Sequence, residues 1–312
     1  MTNSSVVLSI IGFFGGFFLL FKSAGYFVDA AVKISNHFNI SRLTTGIVIA
    51  GVATTAPEST VSVISSIRGY PQIAFGNAYG SIICNTGFAL GLAYIIAHRR
   101  ICLKREDITT MLYPLLIVIA VSVYFASNLT ISRLEGVILL FLLAGYMLYN
   151  SKKGSNTNGD IPKQKGIVKP MIGLFVSLIC IVAFSRIVVE SAVFLASFVG
   201  ISDTVIGLSI IALGTSLPEV SASVSAAVKN EPEIAVGNIV GANILNLLLV
   251  VGLASIAKPI AISLQDFKTA VPASVAFMVV LFIFLFVGKN FGRLKGLVLL
   301  VAYALYNFLL FF

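Results

Sequence analysis

Two stretches of this chain are copies of one another, and each carries a proline followed by a glutamate inside an apolar run. "GIVIAGVATTAPESTVSVISSIRGYPQIAFGNAYGSIICNTGFALGLA" (46–93) aligns without a gap to "GLSIIALGTSLPEVSASVSAAVKNEPEIAVGNIVGANILNLLLVVGLA" (207–254). One offset, 219 − 58 = 161, relates Glu58 to Glu219, and it also relates Thr54 to Thr215, Pro57 to Pro218, Asn77 to Asn238 and Asn85 to Asn246. Asp29 and Glu190 obey it as well. A duplicated unit folds twice, so whatever lodges one carboxylate in an apolar segment lodges its copy in the equivalent place.

The surrounding runs have membrane length. The 312-residue chain is 58% hydrophobic and 11% charged, where soluble domains carry roughly 25% charge. Spanning a hydrocarbon core takes about 20 apolar residues. Ten spans fit, near 5–28, 43–67, 72–97, 108–127, 132–150, 170–195, 204–228, 233–257, 269–288 and 294–311. The alternating pattern of a transmembrane barrel is absent. The expected fold class is therefore an all-α polytopic membrane protein. "NSKKGSNTNGDIPKQKG" (150–166) is polar throughout. It marks a linker, residues 151–168, between a first five-helix repeat at 1–150 and a second at 169–312. Five is odd, so the second repeat enters the membrane the other way up. Inverted repeats of this kind build many secondary transporters.

Lysine and arginine set the orientation. With the N-terminus outside, the inner loops hold Lys33, Arg42, Arg99, Arg100, Lys104, Arg105, Lys152, Lys153, Lys163, Lys165, Lys169, Lys229, Lys289, Arg293 and Lys295. The outer loops hold Arg68, Arg133, Lys258 and Lys268. That is 15 against 4, which puts both termini outside and the linker in the cytoplasm. The net charge of +9 thus sits in short loops, and no nucleic acid is expected as a partner. The first span follows an uncharged "MTNSS" and lacks the basic start of a signal peptide. A prokaryotic cytoplasmic membrane is the expected location, with the lipid bilayer as partner and no obligate protein partner.

A carboxylate at bilayer depth costs at least about 2.5 kcal/mol on insertion scales. Inversion brings the second and seventh spans together, so Glu58 and Glu219 should face each other. Two such groups repel unless a cation or protons lie between them. Pro57 and Pro218 lack an N–H and crowd the carbonyls of Ala53 and Gly214, so both helices should unwind near "ATTAPE" and "GTSLPE". Thr54, Thr55, Thr215 and Ser216 add hydroxyls, and Ser81, Asn85 and Asn246 come from the third and eighth spans. Gly76, Gly80, Gly237 and Gly241 allow close helix packing. Asn77 and Asn238 read equally as ligands or as interhelical hydrogen-bonding groups. Arg186 and Glu190, one helical turn apart, read as a local pair. The donor set is rich in oxygen and has no His or Cys, which suits Ca²⁺ or Na⁺ rather than zinc or copper. Cys84, Cys102 and Cys180 are scattered and lack metal-ligand spacing. No nucleophile–base constellation or phosphate-binding glycine loop marks an enzyme.

"GTSLPE" with "GNIVGAN" and "ATTAPE" with "GNAYGS" resemble the two alpha-repeats of the calcium/cation antiporter superfamily, and the chain is most similar to prokaryotic sodium/calcium exchangers. The resemblance implies the sodium/calcium exchanger fold and a secondary antiporter working by alternating access. It implies Glu58 and Glu219 as central Ca²⁺ ligands, with carbonyl and hydroxyl oxygens from Thr54 and Thr215. Thr55, Ser81 and Ser216 would help form Na⁺ sites with carbonyls from Gly51 and Ala212, and Asn85 and Asn246 would lie beside the centre. The first and sixth helices would slide against the other eight. No cofactor is implied beyond the transported Ca²⁺ and Na⁺. This chain departs from the pattern at Ala242, where some exchangers have serine, at Asn246, where some have aspartate, and at Ala53, where glycine is usual. Two glutamates balance one Ca²⁺ or two Na⁺, so a third Na⁺ would leave an excess charge. Coupling to H⁺ or K⁺ is the alternative within the class, and a cation channel is the alternative outside it.

Overall fold

The computed structural model describes residues 3–97, 101–102, 105–153, 166–199, 212–287 and 290–311. Arg99, Arg100, Lys104, most of the linker and Lys289 lie outside this set, as does the start of the seventh span (204–211).

The chain is nearly all helix. Helix α1 (Asn3–Phe38) runs past its expected end at 28, because nothing in "DAAVKISNHF" breaks it until Asn39 turns left-handed at φ 55°. A bent pair follows, α2 (Arg42–Thr54) and α3 (Ala56–Ile67), meeting at 40°. The Ser41 hydroxyl caps α2 by accepting the Thr44 N–H at 3.1 Å. Then come α4 (Pro71–Ile96), α5 (Arg105–Ser127) and α6 (Arg133–Lys153). Ser132 and Glu135 cap α6 reciprocally: Glu135 Oε2 accepts the Ser132 N–H at 2.7 Å and Ser132 Oγ accepts the Glu135 N–H at 3.3 Å. The second half holds α7 (Val168–Phe198), the short α8 (Ala212–Thr215), α9 (Leu217–Val228), α10 (Pro232–Ala257), α11 (Leu264–Val287) and α12 (Arg293–Phe311). Among the described residues, eight helices and the bent α2–α3 pair are long and apolar enough to cross a membrane.

Two short antiparallel ladders tie the loops together. Strand β1 (Ile101–Cys102) pairs with β4 (Asn290–Phe291), and β2 (Thr130–Ile131) with β3 (Ile260–Ala261). The first ladder joins two loops expected inside, the second two expected outside. Ion pairs Lys229–Asp29 (2.6 Å) and Arg42–Glu231 (3.2 Å) join further groups of the inner set. Loops assigned to one face by charge therefore meet one another.

Burial separates a central group from an outer pair. The apolar windows of α4 and α10 are 72% and 83% buried, that of α1 only 11%. The main core runs through α4, α5, α6, α9, α10 and α11. A smaller cluster (Leu20, Ala24, Phe27, Ala50, Ile181, Val188, Leu217, Ala222) seats α1 and α7 against α2 and α9. Those two helices, the first and sixth spans, pack along each other.

Helices α2 and α10 touch backbone to backbone. A Cβ on Gly46 would stand 2.6 Å from the Ile234 carbonyl oxygen, on Gly237 2.6 Å from that of Leu43, and on Gly241 2.8 Å from Ile47 Cα. Gly237 and Gly241 thus hold the close contact their spacing predicts. The segment equivalent to α2, which Gly76 and Gly80 would face, falls largely outside the described residues. Gly241→Val is expected to lower stability by about 1–3 kcal/mol, read as a drop in Tm of the detergent-solubilised protein. Gly15→Ala, whose Cβ would meet nothing within 4 Å, should leave Tm unchanged or slightly raised.

Candidate cation site

Each proline builds a helix start in the middle of a span. Pro57 lies in the first turn of α3 and Pro218 in that of α9. Neither donates to the carbonyl four residues back. Hydrogen bonds bridge the first break from the Thr55 N–H to the Gly51 carbonyl (3.0 Å) and from the Ser59 N–H to that of Thr55 (3.1 Å). The second is bridged from Ser216 to Leu213 (3.2 Å) and from Val220 to Ser216 (3.0 Å). Glu58 and Glu219 therefore sit in first turns, where the helix dipole favours a negative charge. Both are fully buried, and their carboxyl groups lie within direct electrostatic reach of each other.

Around them the halves clasp reciprocally. Thr54 Oγ1 donates to Asn238 Oδ1, and Thr215 Oγ1 to Asn77 Oδ1, each at 3.3 Å. Asn238 Nδ2 donates to the Glu219 carbonyl (3.3 Å) and Ser223 Oγ (2.8 Å). Asn77 Nδ2 donates to the Glu58 carbonyl (3.3 Å) and Ser62 Oγ (3.0 Å). The offset of 161 converts one set into the other with the halves exchanged, as a two-fold relation requires. Of the two sequence readings of Asn77 and Asn238, the hydrogen-bonding one describes these contacts: each asparagine braces the backbone beside a glutamate.

The symmetry fails at position 242. Ser216 Oγ donates to Ser81 Oγ at 3.3 Å. The equivalent partner for Thr55 would be residue 242, which is alanine, and the Thr55 hydroxyl donates instead to Glu219 Oε1 at 3.3 Å. Gly51 lies against this position, its missing Cβ 3.3 Å from the Ala242 nitrogen. Ala212 opens α8.

Several buried polar atoms have no protein partner. They include both carboxyl oxygens of Glu58, Oε2 of Glu219, and both amide atoms of Asn85 and of Asn246. Orphaned groups of this kind are costly unless something satisfies them. Asn85 and Asn246 each begin a π-helical turn, Asn85–Ala89 and Asn246–Val250, again 161 apart. Such wide turns recur at functional sites. The first turn packs against α9, the second against α3. Carboxyl, amide and hydroxyl oxygens are the donor types that suit a hard cation.

Among the described residues the two sides of the site differ. Thr54 and Asn238 are fully buried, whereas Thr215 and Asn77 are partly exposed. A cleft of about 680 Å³, lined by Pro57, Val61, Val189, Glu190, Thr215 and Pro218, separates α7 from α3. Its symmetry mate is closed, because α1 packs along α9. The reciprocal bridges and the π-helical turns escaped the sequence reading. The bridges had a signal in the four residues that keep the common offset; the turns had none.

The sodium/calcium exchanger protein family profile matches residues 8–152 and 169–312. CaxA of Alkalimonas amylolytica is 34% identical over 316 residues, covering 95% of this chain and 96% of its own. The sodium/calcium exchanger MaX1 of Methanosarcina acetivorans is 28% identical, covering 95% and 97%. The solved structure of the sodium-calcium exchanger NCX_Mj superposes with a TM-score of 0.82 at 31% identity, covering 96% of this chain and 97% of the other.

In a double-mutant cycle, Thr54→Val and Asn238→Ala should couple by about 0.5–3 kcal/mol. Thr215→Val and Asn77→Ala, the partly exposed counterpart, should couple by less. Unfolding midpoints of the four single and two double variants measure both terms.

Proposed function

Because the chain belongs to the sodium/calcium exchanger protein family, we propose that it is a secondary antiporter exchanging Na⁺ for Ca²⁺, with the cation held between Glu58 and Glu219. One observation carries this reading: two buried carboxyl groups, three of whose four oxygens have no protein partner, sit at the meeting point of two repeated halves. A divalent cation neutralises the pair and fills those oxygens; two Na⁺ do so at the same total charge. Thr54, Thr215, Asn85 and Asn246 supply neutral oxygens near the centre. Thr55, Ser81, Ser216 and the carbonyls of Gly51 and Ala212 supply flanking ones for Na⁺.

The halves, 1–150 and 169–312, act as inverted repeats joined by a cytoplasmic linker, in a cell membrane with both termini outside. Alternation follows from moving α1 and α7, held by the smaller apolar cluster, against the rest. The cleft beside Thr215 is the open side and the α1–α9 contact the closed one.

A second reading, Ca²⁺/H⁺ antiport, is favoured by Ala242. That alanine removes a hydroxyl from one flanking site and leaves Thr55 bound to Glu219 Oε1, where a proton could replace Na⁺. Proteoliposomes loaded with Na⁺ and diluted into Na⁺-free buffer should take up ⁴⁵Ca²⁺. Glu58→Gln and Glu219→Gln should each abolish the uptake. Uptake driven only by an outward H⁺ gradient would select the second reading, and uptake unchanged in both variants would remove the site. Ala242→Ser, by restoring one hydroxyl worth about 1 kcal/mol, should lower the Na⁺ concentration for half-maximal exchange about fivefold.

A further inference from the structure

Two ion pairs stand at the edges of the moving helices, and neither belongs to the cation site. On the closed side, Lys229 Nζ lies 2.6 Å from Asp29 Oδ1, joining α1 to the turn after α9. The Lys229 side chain passes over Gly25, 3.4 Å from where a Cβ would be. On the open side, Arg186 Nε lies 2.7 Å from Glu190 Oε1, both on α7 and both exposed along the cleft. The offset of 161 maps Asp29 onto Glu190, Gly25 onto Arg186, and Arg68 onto Lys229. The counterpart of the Asp29–Lys229 pair is thus Glu190–Arg68, which is not formed here. Arg68 is exposed in the turn after α3. Spacings of four and seven put it on the face that carries Pro57 and Val61, which line the cleft.

We propose that Asp29 and Glu190 are the alternating latches of the transporter, each exchanging a partner on its own helix for a partner across the cleft it closes. The proposal rests on the alternating-access reading above. When two inverted halves exchange conformations, each contact made by one half reappears in the other. Closing α7 onto α3 brings Glu190 from Arg186 to Arg68. Opening α1 from α9 releases Asp29 from Lys229, and Lys33, one turn further along α1 and facing the same pocket, takes its place. Neither latch leaves a bare carboxylate at the membrane edge in either state. Asp29 and Glu190 are positioning residues: they set which face is open without touching the cation.

The test reads cleft opening directly. In a background whose native cysteines are replaced, Val193→Cys in the wall of the cleft is labelled by a membrane-impermeant maleimide, applied to the face that carries Arg68. Conditions are titrated with Na⁺ or H⁺ until the parent labels at half its maximal rate. Asp29→Asn weakens the inner latch and should slow labelling, as should Arg186→Gln, which frees Glu190 for Arg68. Arg68→Gln removes the outer latch and should speed it. Shifts of about fivefold are expected, the low end of ordinary coupling between sites. A structural role alone gives no opposite signs. Separately, Arg68→Cys with Glu190→Cys should cross-link through Hg²⁺ under the conditions that protect the reporter, and not under those that expose it. Equal labelling in all variants, or shifts of the same sign for Asp29→Asn and Arg68→Gln, would overturn the proposal, as would failure of the cysteine pair to cross-link. A wrong coupling ion would change the flux assay and leave these signs intact.

Discussion

Two carboxyl groups buried side by side in an apolar interior are the constraint on which the rest of this structure depends. They repel, and each has lost its water. The chain answers first with its backbone. Pro57 and Pro218 lie in the first turns of α3 and α9 and interrupt the helices before them, so both acids sit at helix N-termini. Asn77 and Asn238 then fix the carbonyls of the same two glutamates from the neighbouring helices. These devices hold the acids in place without satisfying their oxygens. Three of their four oxygens are left without a protein partner, the arrangement expected of a pair that takes up a ligand.

The same geometry explains why the glycines sit where they do. The bridge from Thr54 to Asn238 is short enough only because α2 and α10 approach through Gly46, Gly237 and Gly241. One added Cβ there would part the helices and open the bridge. Packing and site geometry are one requirement at this interface, whereas a smaller apolar cluster seats α1 and α7.

Much of this was legible in the sequence because duplication doubles every signal. A lone Pro-Glu pair in an apolar run is ambiguous; two at a fixed offset place both acids and the helix breaks together. Charge in the loops sorted them into the two groups that the short β-ladders join. The parts that stayed hidden depend on side-chain reach across the halves. Asp29 and Lys229 are 200 residues apart, and no local pattern links them. The extension of α1 to Phe38 was missed because hydropathy reports the thickness of a bilayer, not the length of a helix. The effect of Ala242 was visible as a missing hydroxyl, but the turn of Thr55 toward Glu219 needed coordinates.

Glu58 and Glu219 are proposed to hold one exchangeable cation between them. Calorimetric titration of the purified protein in Na⁺-free detergent buffer tests it without any vesicle or gradient. One Ca²⁺ bound per chain, displaced by Na⁺ and lost in both Glu58→Gln and Glu219→Gln, is the result expected. Ca²⁺ binding that persists at the same stoichiometry in either variant would contradict the account.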